Sequence, residues 1–92
     1  MVVKGRVQGV GYRVNCVQVA QELGLAGTVR NMPDGSVEVI AVGTATAVDR
    51  LTTWCRHGPR WAAVESLHYS DTAPAGAGDR SADVPAGGFR IA

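Results

Sequence analysis

The hydrophobic patterns along this chain predict an α+β sandwich, β-α-β-β-α-β with a short extra strand, in which two helices cover one face of an antiparallel sheet. Three observations carry that expectation. Apolar residues recur at helical spacing in two separate stretches, around Tyr12–Leu23 and Val48–Cys55. Short runs rich in β-branched residues flank both stretches. A Pro-Asp-Gly turn, Pro33 to Gly35, separates the two middle runs, and glycine accepts there the positive φ that a tight hairpin demands.

Met1 to Val7, MVVKGRV, reads as the first strand. The turn QGVG follows, and from Tyr12 the period becomes helical: Tyr12, Cys16, Val19, Ala20 and Leu23 share one face, with Val14 and Val17 off the stripe. Gly24 suits the left-handed position that ends a helix. Leu25 to Met32 and Ser36 to Val42 form the hairpin arms. In the second arm Val37, Val39 and Ala41 alternate with Glu38, Ile40 and Val42, so both faces carry apolar residues and a central strand is expected. The second helix is expected to open near Thr46, with Asp49 three residues on as a weak capping box. Val48, Leu51, Thr52 and Cys55 make its inward stripe, and Gly58-Pro59 stops it. Ala63 to Ser70 alternates as a fourth strand. Thr72 to Gly88, rich in Ala, Gly and Pro, reads as a mobile loop, and GFRIA closes the chain as a short strand with Phe89 and Ile91 on one side. The order is that of the split βαβ, ferredoxin-like fold. No repeat or linker divides the chain, so residues 1–92 are expected to make one domain. This fold hosts many unrelated activities, so function has to be read from a site.

Composition narrows the partners. Nine Lys and Arg face eight Asp and Glu, a formal charge of +1, which gives no basic surface for a nucleic acid. The aromatics, Tyr12, Trp54, Trp61, Tyr69 and Phe89, form no run of the kind that stacks RNA bases. No apolar stretch approaches the roughly 18–20 residues that span a bilayer, and no charged-then-apolar leader is read at the amino end. The expectation is a cytoplasmic protein that binds neither membrane nor nucleic acid. With no obvious exposed apolar stripe it is expected to be a monomer. Cys16 and Cys55 fit no CxxC pattern and read as small buried hydrophobes in a reducing compartment, with a bridge or a redox role as the alternatives.

The stretch VQGVGYR, Val7 to Arg13, carries the chemistry. Gly9 and Gly11 allow consecutive N–H groups to turn toward one point, forming a backbone nest for an anion. The helix that begins near Tyr12 adds its unpaired N–H groups and the positive end of its dipole. Arg13 supplies a guanidinium fork able to meet two oxygens of one phosphate. Taken alone the heptapeptide fits a plain turn beside a solvated charge as well. It lacks the third glycine of a dinucleotide fingerprint and the Gly-Lys-Ser/Thr ending of a nucleotide-hydrolase loop. Asn31, where a strand runs out into the hairpin turn, either bonds its own backbone or offers an uncharged amide to a water. Arg30 beside it is expected on the opposite face, solvated.

The residues GRVQGVGYR at Gly5–Arg13, LGLAGTVRNMPDGSVEV at Leu23–Val39, GP followed by A-x-V at Gly58–Val64, and the terminal FRI resemble the acylphosphatase family. The resemblance spans some sixty residues in the right order and implies the same βαββαβ fold. It implies an enzyme that hydrolyses the carboxyl–phosphate bond of small acyl phosphates to carboxylate and inorganic phosphate, with no cofactor, no metal and no covalent intermediate. It also implies the residue roles: Gln8, Gly9, Val10, Gly11, Tyr12 and Arg13 as the phosphate-binding loop, Arg13 and Asn31 as catalytic, the latter holding the attacking water. His57 and His68 stand in no matching motif and are expected at the surface. Several departures stand out. Thr28 replaces a tryptophan, so an aromatic contact near the core is expected to be missing. Tyr12 replaces the commoner phenylalanine and brings a hydroxyl that needs a partner. Against the family the amino end looks a few residues short, so the expectation is either a frayed first strand or a start codon assigned late, and the loop before Phe89 is longer than usual. The alternative reading is a non-catalytic binding or accessory module of the same fold, which occurs within larger maturation proteins.

Overall fold

The computed structural model describes residues 1–70 and 88–92. Its elements are β1 (Val2–Arg6), α1 (Tyr12–Glu22), β2 (Ala26–Asn31), β3 (Val37–Val42), α2 (Ala45–His57), β4 (Ala63–His68) and β5 (Phe89–Ile91). The segment expected as a mobile loop, Thr72 to Gly88, lies outside the described residues apart from Gly88.

The strands form one sheet in the order β4-β1-β3-β2-β5. The first four pair antiparallel, as the split βαβ order requires, and β3 takes the central place that its two apolar faces predict. β5 adds a feature that chain order alone does not specify. It lies at the far edge from β4 and runs parallel to β2, pairing Phe89 with Gly27 and Ile91 with Val29, so the whole sheet is mixed. The amino-terminal strand is held on both sides from its first residue, Val2 facing Glu38 on β3 and His68 on β4.

Strand alternation decides what faces the helices. Val3, Val7, Val29, Val37, Val39 and Phe89 are buried, and they meet Tyr12, Cys16 and Ala20 of α1 and Leu51 and Cys55 of α2. Each buried Val, Leu or Phe among them contributes roughly 1.5–3 kcal/mol by leaving water, which is what holds two short helices that would be marginal alone. Cys16 and Cys55 are both free and buried between the layers. A hydrogen bond with Cys55, and then burial, push the Cys16 thiol well above its ordinary range, so it stays protonated and acts as a small hydrophobe.

Three local expectations change. The cap of α2 is Thr44 rather than Thr46: its backbone is extended, and its side-chain hydroxyl accepts from the Ala47 N–H at 3.1 Å. Thr28 pairs with Ile40 on the face away from the helices, so the aromatic it replaces would not have entered the core between the layers. Arg30 does project to that outer face, but its Nε donates to Glu38 Oε1 at 2.9 Å instead of meeting water alone.

Candidate active site

One end of the sandwich gathers the ends of several elements. The carboxyl ends of β1 and β2, the amino ends of β3, β4 and α1, and the carboxyl end of α2 all lie there, because each strand pairing fixes the direction of its neighbour. Gln8 to Gly11 bridge β1 and α1 at this end.

In that bridge Gly9 and Gly11 have φ of 74° and 77°, while Val10 between them stays at negative φ, since among the described residues only glycines are positive. A backbone whose hand alternates from residue to residue turns successive N–H groups to one side, which is how a nest forms. Gly11 is the cap of α1, and no side chain accepts from the helix's first amides; nor does any acidic residue stand in its first turn. The contrast with α2, whose cap hydroxyl is engaged, is direct. Asn15 closes the carbonyl side instead, with both its backbone N–H (3.1 Å) and its Nδ2 (2.8 Å) donating to the Gly11 oxygen. Among the described residues none accepts a hydrogen bond from the amides of Gln8, Gly9, Val10 or Gly11. Unsatisfied donors at the positive end of a helix are suited to an anion.

The Gln8 side chain has a task that the sequence did not disclose. Its Nε2 donates to the carbonyls of Met32 (3.0 Å) and Ser36 (2.9 Å), so the bridge is tied to both sides of the β2–β3 turn. Asn31 is the residue immediately before Met32 and the last of β2. It pairs with Val37 and alternates in step with buried Val29, so it belongs to the helix-side face, yet it lies where the strand ends and is exposed. The turn itself is stiffened by Asp34, whose Oδ1 accepts from the Ser36 hydroxyl and from the Ser36 N–H at 2.9 Å. Those two bonds hold the Asp34 carboxyl below its ordinary range.

Arg13, the second residue of α1, is half-buried, and among the described residues no carboxylate pairs with it. Tyr12 anchors the same turn. Its hydroxyl donates to the Cys55 carbonyl at 2.8 Å, and its ring lies 5.3 Å from that of Trp54. The helical partner of that carbonyl would be the N–H four residues on, but residue 59 is proline and has none. Tyr12 supplies the missing donor, and its burial foremost raises the phenol's pKa far above the ordinary value.

His57 and His68 are exposed, at opposite ends of the molecule, as expected of surface residues. Among the described residues no three His, Cys, Asp or Glu side chains are grouped to hold a metal. An open depression lined by Ala45, Thr46, Asp49 and Tyr69 lies at the end away from Gln8, and its one charged side chain is a carboxylate, the wrong sign for an anion.

The chain is similar to known proteins in both sequence and fold. A family model described as acylphosphatase matches residues 1–80. The chain is 51% identical over 76 residues to an acylphosphatase of Methylococcus capsulatus, covering 83% of each chain. It is 53% identical over 75 residues to an acylphosphatase of a Synechococcus species, covering 82% of this chain and 64% of that one. Its fold is similar to the crystal structure of acylphosphatase from Bacillus subtilis, with a TM-score of 0.74 and 27% identity over 99% of this chain and 92% of that chain.

Proposed function

Because the chain belongs to the acylphosphatase family and is an enzyme hydrolysing acyl phosphates, we propose that the amides of Gln8 to Arg13 and the Arg13 guanidinium hold the phosphoryl group while Asn31 positions the water. The observation that supports this most is the uncapped start of α1 behind a bridge of alternating hand, tied by Gln8 to the turn that ends β2 at Asn31.

Phosphoryl transfer asks chiefly for positioning and for charge stabilisation on the equatorial oxygens. Backbone donors and one arginine supply both without moving during the reaction. The Asn31 side-chain oxygen accepts a hydrogen bond from water, which attacks phosphorus in line. The bond from phosphorus to the carboxyl oxygen breaks, its electron pair leaves with the carboxylate, and both of the water's protons stay with the phosphate, which is released as dihydrogen phosphate. Carboxylate is a good leaving group, so no strong general acid is required.

The reading includes a single domain over residues 1–92, acting as a monomer in the cytoplasm on a small acyl phosphate. The two free cysteines suit a reducing compartment. Among the described residues no helix is long and apolar enough to cross a membrane.

The test is turnover of acetyl and benzoyl phosphate without added metal. Arg13→Gln should lower kcat/KM at least about 100-fold, the scale of removing a transition-state donor. Asn31→Ala should cost a similar order while inorganic phosphate still inhibits. Full turnover by Arg13→Gln would overturn the assignment of the anion grip.

A further inference from the structure

Trp61 is the most exposed large hydrophobic side chain among the described residues, at 72%. It sits in the turn between α2 and β4, and that turn is held against both ends of the Gln8–Gly11 bridge. On one side Ala63 pairs with Arg6, the last residue of β1 and two before Gln8. On the other, a Cβ built on Gly58 would lie 3.1 Å from the Tyr12 ring and 3.0 Å from the Ala62 Cβ, so the turn packs on the first residue of α1. The Ala62 N–H donates to the Pro59 carbonyl at 3.0 Å and closes the turn. Arg60 places its guanidinium carbon 5.2 Å from the centroid of the Trp61 ring, a cation–π contact that restrains the indole.

We propose that Trp61 is the platform that receives the acyl group, making aromatic and extended apolar acyl phosphates the favoured substrates. The proposal rests on the reading of the bridge as the phosphate site. A phosphoryl group fixed there leaves its acyl part to extend over the surface around the bridge, and Trp61 is the large apolar group that the turn beside it presents. The other exposed aromatic, Tyr69, lies past the opposite end of β4. An aromatic acyl group can pack on an indole face, whereas an acetyl group is too short to cover it. That contact is remote from phosphorus and is made in ground state and transition state alike, so it lowers KM and leaves the chemical step alone. Arg60 adds a cation beside the platform, which favours approach of an anionic substrate.

The experiment measures kcat and KM for benzoyl and acetyl phosphate in the wild type, Trp61→Ala and Trp61→Phe. Trp61→Ala should lower the benzoyl-to-acetyl ratio of kcat/KM by about 3- to 10-fold, the scale of one aromatic pair, and should do so through KM for benzoyl phosphate. Trp61→Phe keeps a ring and should recover most of the ratio. An unchanged ratio in Trp61→Ala, or an equal loss on both substrates, would overturn the platform. If the wild type hydrolyses neither substrate, the phosphate-site reading falls first and takes this proposal with it.

Discussion

Replacing Gln8 by alanine separates the bridge from the β2–β3 turn without touching a backbone amide. Two hydrogen bonds are lost, at 3.0 Å to Met32 and 2.9 Å to Ser36. Neither carbonyl is orphaned, because the Met32 oxygen still accepts from the Gly35 N–H at 3.1 Å and the Ser36 oxygen from the Met32 N–H at 2.8 Å. The loss is therefore near the net worth of two ordinary bonds, about 1–2 kcal/mol, rather than the larger penalty of buried unpaired groups. In a domain of this size that should lower Tm by roughly 4–15 °C. The functional consequence is more specific. The bridge and Asn31 belong to segments more than twenty residues apart, and Gln8 is the side chain that joins their ends. Loosening it should spoil the alignment of water and phosphorus, so kcat should fall about 10-fold or more, the scale of small misplacements in positioned reactions. Inhibition by inorganic phosphate, which on the proposed reading needs the bridge and Arg13 but not Asn31, should change much less. Thermal melts, benzoyl phosphate kinetics and phosphate inhibition on the same preparation decide it. A variant with wild-type Tm and wild-type kcat would show that the two bonds position nothing.

Other consequences follow from the same contacts. Tyr12→Phe should remove about 1–3 kcal/mol of stability, because the Cys55 carbonyl loses the donor that stands in for the proline nitrogen; a denaturant midpoint equal to wild type would contradict this. Asp34 is held below its ordinary range by Ser36, so it binds protons less readily in the folded protein than in the unfolded chain. Its contribution is present above the unfolded value of 3.8 and is lost as pH falls through the lower folded value. Asp34→Ala should accordingly melt below wild type at neutral pH, with the gap closing on acidification, and a gap that stays constant down to about pH 3 would exclude the mechanism.

Much of this protein is legible in local pattern. Helical spacing, β-branched runs, the Pro-Asp-Gly turn and the terminal GFRIA depend on neighbours a few residues apart, and they define seven elements in their correct order. The pairing of Gly9 and Gly11 with a helix start and Arg13 likewise points, within one short segment, to the anion site proposed above, although those residues alone fit a plain turn as well. Position by position, the ambiguities lie where two local solutions compete, as at Thr44 and Thr46, and the backbone entering α2 decides between them.

The sequence by itself determined which elements form and where their apolar faces lie, since period and turn chemistry are properties of adjacent residues. Only the tertiary structure decided that β5 joins the far edge parallel to β2, that Gln8 reaches a turn 24 and 28 residues away, and that the Tyr12 hydroxyl answers a carbonyl 43 residues on. Such contacts exist only once long segments have closed on one another. A side chain's partner is then set by the register of the whole sheet, which no local spacing encodes.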